Sequence, residues 1–529
     1  MHHCLHVDEI VRLIARELVA SQGQATAVAL ACCCKSLEDP ALDVLWTAQY
    51  SLTSLLKTLS EDIWNTDDNN VSVATTVFVP HLFNCLIQKS LNRLPTIQEW
   101  ARLRKYARRI QMLEGELIPS SLSQVFSALQ FRTFGEALLP SLKTLRLWYA
   151  PAEYMSFIPT LLSARTTAIT ISFFEHEHRE VVVAAMITAL PVLCPNLQEI
   201  HLNYLPEHPA ITAAVSQLLL TTNPNTLRSF GADSPLTEEA HEVVYKLADL
   251  RELSTVVDGL TSLPTIVLPN LTMIGLVYHN HNWLQGFSGA SLENLDTIIL
   301  HSVSKPIDDF LEAFEDVAQT TAITATVSAF KFSTSHPWRP KYRSLFPFTQ
   351  LTELIIGFSC QPDCSSTIDD DIVTDLARAL PKLQGLHLGH QPCRTPAGVT
   401  VQGLSALAHY CPHLCDLSIH FRPDSLDPPG LPRVTFANER SVSWEDCALK
   451  ILGVGKIRIP EESALMVALT LLRIFPHLEE INYEDESWEG VANAIGDSKD
   501  LVTCSSKARV FAALRIALTT LPTGLAAIR

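Results

Sequence analysis

The chain repeats one short phrase, proline-x-leucine-x-x-leucine-x-leucine, and this repetition most constrains its fold. Four copies end in leucine at Leu147, Leu202, Leu276 and Leu388, and two looser copies end at Ile419 and Tyr483. Alternating apolar and polar residues in the second half of the phrase predict a short strand with one buried face. Proline cannot continue a helix, so it separates that strand from the helical segment before it.

Weaker copies fill the gaps between these six. We call the first apolar residue of each copy the ladder residue. The thirteen ladder residues are Leu142, Thr166, Leu197, Leu227, Leu250, Leu271, Leu295, Val327, Leu351, Leu383, Leu414, Leu449 and Leu478, at intervals of 21 to 35 residues. Thr166 and Val327 fit the phrase least well. We keep both as degenerate repeats, because omitting them would leave two gaps of double length.

Each repeat pairs a strand with a segment of helical period, such as Ile372, Val373, Leu376 and Leu380. One such unit cannot bury both of its elements alone, so neighbouring units must stack. The sequence therefore predicts an α/β leucine-rich-repeat solenoid over residues 121–484, with parallel strands on the concave face and helices on the convex face. The form with cysteine before the proline resembles the long, cysteine-containing class of these repeats. We expect Cys194 and Cys411 to be buried as small apolar residues at the helix ends.

The first fifty residues have a different pattern, which predicts three short helices. We expect the third helix to begin with Asp39 as its N-cap and Pro40 as its first residue. Cys32 to Cys34 are interpreted as small residues in a tight helical bundle rather than as metal ligands, because adjacent helical residues point in different directions. So short a block buries little surface by itself, and we expect it to dock on another body.

The amino-terminal residues resemble a known protein family. The stretches "LHVDEIVRLIARELV" and "ALACCCKSLEDPALDVLW" resemble an F-box, with Val7 where the F-box pattern has its opening proline. The continuations "SLTSLLKTLSEDIW" and "QEWARLRKYARRIQML" are similar to a large fungal (basidiomycete-type) group of F-box proteins with degenerate leucine-rich repeats. The resemblance implies an F-box at 1–50, a helical linker and cap at 51–120, the solenoid at 121–484 and a terminal cap or tail at 485–529.

The resemblance implies a substrate-recognition subunit of an SCF-type (Skp–cullin–F-box) ubiquitin ligase, which supplies proximity and no bond chemistry. Its partners would be a Skp-type adaptor, through it a cullin–RING ligase, and a protein substrate. The residues expected to contact the adaptor are Ile10, Leu13, Ile14, Leu18, Leu37, Pro40, Leu42, Leu45 and Trp46. The residues expected to contact a substrate from the concave face are Arg146, Trp148, His201, Asn203, His301, Lys331, His387 and His420.

Composition disfavours several other classes of function. A net charge of −17 repels phosphate backbones, so we expect no nucleic-acid partner. Apolar runs are too short for a membrane span, and the start of the chain lacks the pattern of a signal peptide. Thirteen scattered cysteines are typical of reduced thiols in a cytoplasmic or nuclear protein. No cofactor or metal is expected, because "HEHRE" at His176 and "HEVVY" at His241 lack the second histidine of a zinc helix.

Two alternatives remain open. The chain could be a leucine-rich-repeat interaction scaffold whose F-box does not recruit a ligase. It could also be an enzyme whose site is assembled from distant residues, which the absence of catalytic motifs disfavours. The basic cluster Arg102, Arg104, Lys105, Arg108 and Arg109 reads as one face of an amphipathic helix, and we expect that face to be solvated.

Overall fold

A computed structural model describes residues 7–21, 23–65, 90–91, 93–116, 136–150, 155–173, 180–257, 268–278, 292–302, 326–334, 342–358, 368–389, 398–422, 447–455, 459, 463–483 and 485–496. The chain divides into two compact units, residues 1–256 and 257–529. Both have an α/β fold built on parallel strands that follow one another in sequence order. This arrangement agrees with the predicted stack of repeats.

The first unit contains nine described helices and the first nine strands of the chain. The helices are α1 (Asp8–Ala20), α2 (Gln24–Cys33), α3 (Lys35–Thr47), α4 (Thr53–Leu56), α5 (Ile97–Ala107), α6 (Ile158–Leu161), α7 (Glu180–Leu193), α8 (Pro209–Thr221) and α9 (Glu238–Val244). The strands are β1 (Ala48–Gln49), β2 (Trp64–Asn65), β3 (Ser90–Leu91), β4 (Met112–Glu116), β5 (Thr144–Ala150), β6 (Ala168–Phe173), β7 (Glu199–Asn203), β8 (Ser229–Pro235) and β9 (Glu252–Val257). Parallel pairing runs β1-β4-β5-β6-β7-β8-β9, whereas β2 and β3 form a separate antiparallel pair.

The second unit continues the same plan. Its described helices are α10 (Asp370–Ala379), α11 (Val401–Tyr410), α12 (Ala464–Ile474) and α13 (Glu489–Gly496). Its strands are β10 (Met273–Tyr278), β11 (Thr297–Ser302), β12 (Ala329–Thr334), β13 (Glu353–Phe358), β14 (Gly385–Leu388), β15 (Asp416–Ile419), β16 (Ile451–Gly455) and β17 (Glu480–Tyr483). They pair in parallel in sequence order from β10 to β17.

The thirteen ladder residues are all buried, and in every repeat the strand begins two residues after the ladder residue. The two weakest repeats follow the same rule, which confirms that they belong to the series. Thr166 is fully buried although it is polar, and its hydroxyl donates a hydrogen bond to the carbonyl of Leu142 at 3.0 Å. That bond offsets the desolvation of the hydroxyl, so threonine can occupy a leucine position.

The repeat proline lies in a tight turn between helix and strand. In the repeat that begins at Cys194, the backbone N–H of Leu197 donates to the carbonyl of Cys194 at 3.3 Å, so Pro195 is the second residue of a four-residue turn. Proline favours that turn position because its ring presets the backbone angle. Cys194 and Cys411 are buried as expected. Burial raises the pKa of the Cys194 thiol to about 11.

Backbone hydrogen bonds join successive repeats. The carbonyl of Lys143 accepts from the N–H groups of Thr167 and Ala168, at 2.8 and 3.0 Å. One repeat later, the carbonyl of Thr167 accepts from Gln198 and Glu199 at 2.7 and 3.1 Å. These bonds use no side-chain atoms, so the stacking of repeats tolerates variation at the residues that make them.

The stack of strands starts earlier than residue 121, where we expected the solenoid to begin. Ile110 is fully buried two residues before β4, so it occupies a ladder position that the sequence analysis did not include. Strand β4 pairs with β1, which directly follows α3. Residues 117–135, Glu484 and the predicted tail beyond residue 496 lie outside the described residues.

The three predicted amino-terminal helices are present, but the start of the third was wrong. Helix α3 begins at Lys35, and Pro40 is its sixth residue rather than its first. Cys34, in extended conformation, takes the N-cap position without a side-chain hydrogen bond. Proline there removes one backbone donor from the helix, and its ring is buried. Cys32 and Cys33 are exposed, so they do not pack inside the bundle as we expected.

Candidate interaction surfaces

The amino-terminal helices form a module whose buried residues include three alanines as well as Val11 and Leu37, and which also exposes large apolar side chains. Ala15, Ala31 and Ala41 make up its buried cluster. Leu13 on α1 is 56% exposed, and Ile14 beside it and Val28 on α2 are also exposed. Large apolar side chains outside the core leave apolar area uncovered, and such patches are typical of protein–protein contacts.

The predicted adaptor residues divide into three groups. Leu13 and Ile14 are exposed, whereas Ile10, Leu18, Leu42, Leu45 and Trp46 are half-buried. Leu37 and Pro40 are buried, so their side chains offer almost no surface to a partner and instead pack within the module. The available apolar surface therefore centres on α1.

Ion pairs fasten α3 to the last turn of α5 and to the residues that directly follow it. Lys105 Nζ lies 2.9 Å from a carboxylate oxygen of Glu38. Arg109 bonds to Asp39 at 2.5 Å and also to Asp43, and only 9% of its side chain is exposed. The expectation of a fully solvated basic face is therefore wrong for Lys105 and Arg109. Each of these two cations is ion-paired with carboxylates of α3. The pKa of Lys105 is raised, chiefly by its hydrogen bond to Glu38.

Further contacts continue this junction into the sheet. The rings of Trp46 and Tyr106 lie 4.7 Å apart between centroids. Beyond them, the backbone N–H of Gln111 donates to the carbonyl of Thr47 at 2.9 Å. Helix α3 is thus held to α5 and to β4 by ionic, aromatic and backbone contacts, which fix the direction of the module relative to the first repeats.

The face of each sheet opposite its buried side chains carries the second, fourth and sixth residues after each ladder residue. A diagonal pairing recurs there, joining the fourth residue of one repeat to the second residue of the next. Lys331 pairs with Glu353 at 3.0 Å, and His387 Nε2 lies 3.3 Å from Asp416. In the first unit, His201 Nε2 lies 2.8 Å from Ser229 Oγ. Most of the predicted polar contact residues are therefore engaged with neighbouring strands.

The hydrogen bond between His201 on β7 and Ser229 on β8 continues to Glu252 on a third strand, β9. Ser229 Oγ donates to Glu252 at 2.8 Å, so His201 Nε2–H is the donor to Ser229. Serine lies between histidine and carboxylate here, whereas a nucleophilic triad needs histidine in the middle. Burial lowers the pKa of His201. The arrangement therefore locks three strands together and does not activate the serine.

The remaining predicted contact residues lie on the same kind of surface. Arg146 is 4.0 Å from Glu114, and Asn203 Nδ2 donates to Ser172 Oγ at 3.3 Å. His301 is exposed and His420 is half-buried. Trp148 differs from all of these because it is a large aromatic side chain that is 40% exposed.

Tyr204, which directly follows β7, is an exposed residue that the sequence does not predict. Its φ of 57° places it in the left-handed region, which bulky residues rarely adopt. The backbone N–H of Tyr204 donates to Asp233 Oδ2 at 2.7 Å, and its ring is 68% exposed. No sequence signal marks this position, because left-handed turns are normally signalled by glycine or asparagine.

Among the described residues, no three histidine, cysteine or acidic side chains come together as a metal site. No described helix combines the length and apolarity needed to cross a bilayer.

Comparison with known proteins adds little to the fold. No protein-family model and no curated protein matches the chain. Among solved structures, the chain is similar to a Bacteroides fragilis protein determined by a structural genomics consortium. The match has 14% identity and a TM-score of 0.25, and it covers 63% of this chain and 73% of the other.

Proposed function

We propose that this chain is the substrate-recognition subunit of an SCF-type ubiquitin ligase. The amino-terminal module would bind a Skp-type adaptor, and the exposed sheet face would bind a protein substrate. In this role the chain carries no catalytic residue and works in the cytoplasm or nucleus. The family part of the proposal rests on the F-box resemblance of the first fifty residues.

One observation carries the proposal: the module exposes the large apolar side chains of Leu13 and Ile14 on α1. Ala15, Ala31 and Ala41 need little space, so α1 and α2 approach α3 closely. Leu13 and Ile14 remain exposed on the outer side of α1. Because Leu13 is 56% and Ile14 38% exposed, burying what remains of both against an adaptor would contribute about 1.5–3 kcal/mol to binding.

The junction between α3 and α5 also supports this role. A ligase receptor must present its substrate at a set distance from the enzyme that the scaffold carries, because proximity is its whole contribution. Arg109, with its two carboxylate partners, restrains the joint between the adaptor-facing helices and the first repeats.

The test measures binding of the full chain to a purified Skp-type adaptor by calorimetry. Leu13→Ala combined with Ile14→Ala should weaken binding at least about tenfold. Val181→Ala combined with Val192→Ala, which truncates two exposed valines on α7, is the matched control and should leave affinity unchanged. An unaltered chain that does not bind the adaptor, or a double variant that binds equally well, would overturn the proposal.

The alternative is an interaction scaffold that recruits no ligase. The exposed sheet face supports this alternative as well as it supports the ligase receptor, because that face could bind a protein whether or not the amino-terminal module binds an adaptor. Absence of adaptor binding together with a protein partner bound at the sheet would decide for this alternative.

A further inference from the structure

The exposed aromatic side chains of the first unit are confined to one edge of its sheet. Within the part of residues 1–256 that the structure describes, the only exposed aromatics are Tyr50, Trp148 and Tyr204. Tyr50, 71% exposed, follows β1; Trp148 lies near the end of β5; Tyr204 follows β7. All three therefore lie at the carboxyl ends of parallel strands, which share one edge of a sheet.

The backbone along this edge is irregular in several neighbouring strands. Strand β5 has one more residue than β6 between Leu147 and Ala150, a bulge that contains Trp148. Strand β8 has a similar shift between Ala232 and Pro235, which contains Asp233. Between them is the left-handed Tyr204, held by the Asp233 carboxylate. A left-handed backbone is unfavourable for tyrosine, and here that conformation accompanies an exposed side chain.

The spacing of two rings suits a particular ligand geometry. Trp148 lies in β5 and Tyr204 directly follows β7, and these two strands, separated by β6, are about 9.6 Å apart across the sheet. A polyproline II helix advances about 9.3 Å per turn of three residues. Aromatic side chains at such an interval accept successive turns of a proline-rich segment, a recognised mode of peptide docking.

Charge indicates which proline-rich segments fit. On the exposed face of β4 to β9, the described acidic and basic side chains after the first residue of each strand are Glu114, Arg146 and Asp233. Glu114 lies 4.0 Å from Arg146, which leaves Asp233, beside Tyr204, as the acid nearest the carboxyl edge. Glu199 and Glu252 begin their strands, and Lys143, Arg228 and Arg251 precede theirs, so these five charges lie at the opposite edge. A cationic side chain beside Trp148 or Tyr204 would gain both ring and carboxylate contacts.

We propose that the carboxyl edge of β5 to β8 binds a basic, proline-rich peptide segment in polyproline II conformation. Trp148 and Tyr204 receive successive turns, and Asp233 both holds Tyr204 and contributes to the negative field. This inference specifies the substrate class of the receptor proposed above, but its test needs no adaptor. Failure of one proposal therefore leaves the other standing.

The experiment measures fluorescence anisotropy of a labelled peptide of repeated Arg-Pro-Pro triplets titrated with the full chain. A peptide of Arg-Gly-Gly triplets has the same charge without the conformational preference, and one of Glu-Pro-Pro triplets reverses the charge. The Arg-Pro-Pro peptide should bind at least about tenfold more tightly than either, with affinity falling as salt is added.

Two variants locate the site. Trp148→Ala and Tyr204→Gly should each weaken binding at least about tenfold, because exposed aromatic anchors dominate such contacts. Glycine tolerates the left-handed backbone, so Tyr204→Gly removes the ring without disturbing the turn, and its thermal midpoint should not fall. Tyr483→Ala, at an exposed tyrosine of the second unit, is the control and should bind normally.

Several results would overturn the inference. These are no saturable binding of the Arg-Pro-Pro peptide, equal binding of the Arg-Gly-Gly peptide, or equal binding by both site variants. Aromatic rows also bind sugar chains, so cellohexaose is titrated in parallel. Binding of cellohexaose that Trp148→Ala abolishes, without binding of the peptide, would assign the edge to carbohydrate instead.

Discussion

The carboxylate of Asp370 caps a helix that begins thirty residues away in the next repeat: its Oδ1 accepts the backbone N–H of Gly403 at 2.9 Å. The same oxygen accepts the N–H of Thr400 at 2.7 Å, and Oδ2 accepts the Thr400 hydroxyl at 2.6 Å. One acidic side chain thus satisfies two free amides at the start of α11 and joins α10 to α11.

This cap leads to a prediction about Gly403. A Cβ at Gly403 would lie 2.6 Å from Asp370 Oδ1, so Gly403→Ala should lower the free energy of unfolding by about 1–3 kcal/mol. Asp370→Ala should lower it by about 1–2 kcal/mol through loss of the cap. The double variant should lose less than the sum, because the clashing carboxylate is gone. Urea unfolding of the unaltered chain, the two single variants and the double variant measures this coupling. Losses of stability in the single variants that add up to the loss in the double variant would contradict it.

Because of the buried His241, we expect the free energy of unfolding to depend on pH. His241 is buried against Tyr245, neither ring nitrogen has a hydrogen-bond partner among the described residues, and burial lowers its pKa from 6.5 to about 4. Between these values the unfolded chain binds more protons than the folded one, so stability falls as pH falls through this range. At pH 5 the loss should be on the order of 2 kcal/mol relative to neutral pH.

His241→Phe is the matched control for this titration. Phenylalanine fills a similar volume and keeps the stacking on Tyr245, but it cannot take up a proton. Urea unfolding at neutral and mildly acid pH should show a smaller pH effect in the variant than in the unaltered chain. An equal effect in both proteins would assign the acid sensitivity to other groups.

We expect Arg109 to stabilise the contact between α3 of the amino-terminal module and the residues that follow α5. Arg109→Ala removes the cation between Asp39 and Asp43 and should destabilise the docking of α3 by about 1–3 kcal/mol. The measurement is hydrogen exchange of the amides in residues 35–47, which should accelerate. Arg104→Ala is the control, because Arg104 and its partner Glu136 are both well exposed. Equal acceleration in the two variants would show that Arg109 does not hold this junction.

The described cysteines should react at very different rates. Cys34 is half-buried, and Ser36 Oγ lies 3.1 Å from its sulfur, a hydrogen bond that is the main cause of the lowered pKa of its thiol. Cys194 and Cys411 are buried, with pKa values raised to about 11 and about 12. In the folded chain, iodoacetamide should modify Cys34 before Cys32 and Cys33, and leave the buried pair intact. Peptide mapping by mass spectrometry checks the order, and Ser36→Ala should slow the reaction at Cys34.

The repeat architecture could be predicted because its signal is periodic. Even Thr166, the poorest match, occupies the expected place, since a spacing argument does not depend on one residue being apolar. Ile110 was missed because no proline precedes it and no earlier repeat sets its interval. The start of α3 was misplaced because aspartate followed by proline is a common opening for a helix, and here tertiary packing accommodates Pro40 inside it.

The candidate surfaces were only partly predictable. Trp148 could be placed on the exposed face by strand alternation alone. Tyr204 could not, because its exposure comes from a left-handed turn stabilised by Asp233, twenty-nine residues later. Similarly, alternation places His201, Lys331 and His387 outward, but it does not reveal that a neighbouring strand engages each of them.

The hydrogen bonds between successive repeats have a consequence for how such a chain changes over time. Within each unit, every junction between described repeats uses main-chain atoms at the same two positions, whatever the length of the returning segment. A duplicated or deleted repeat would therefore meet its neighbours with the same set of donors and acceptors. Proteins with this fold can therefore gain or lose whole repeats during evolution, and the segment between two strands can change in length. The side chains on the exposed face remain free to diverge and to bind new ligands.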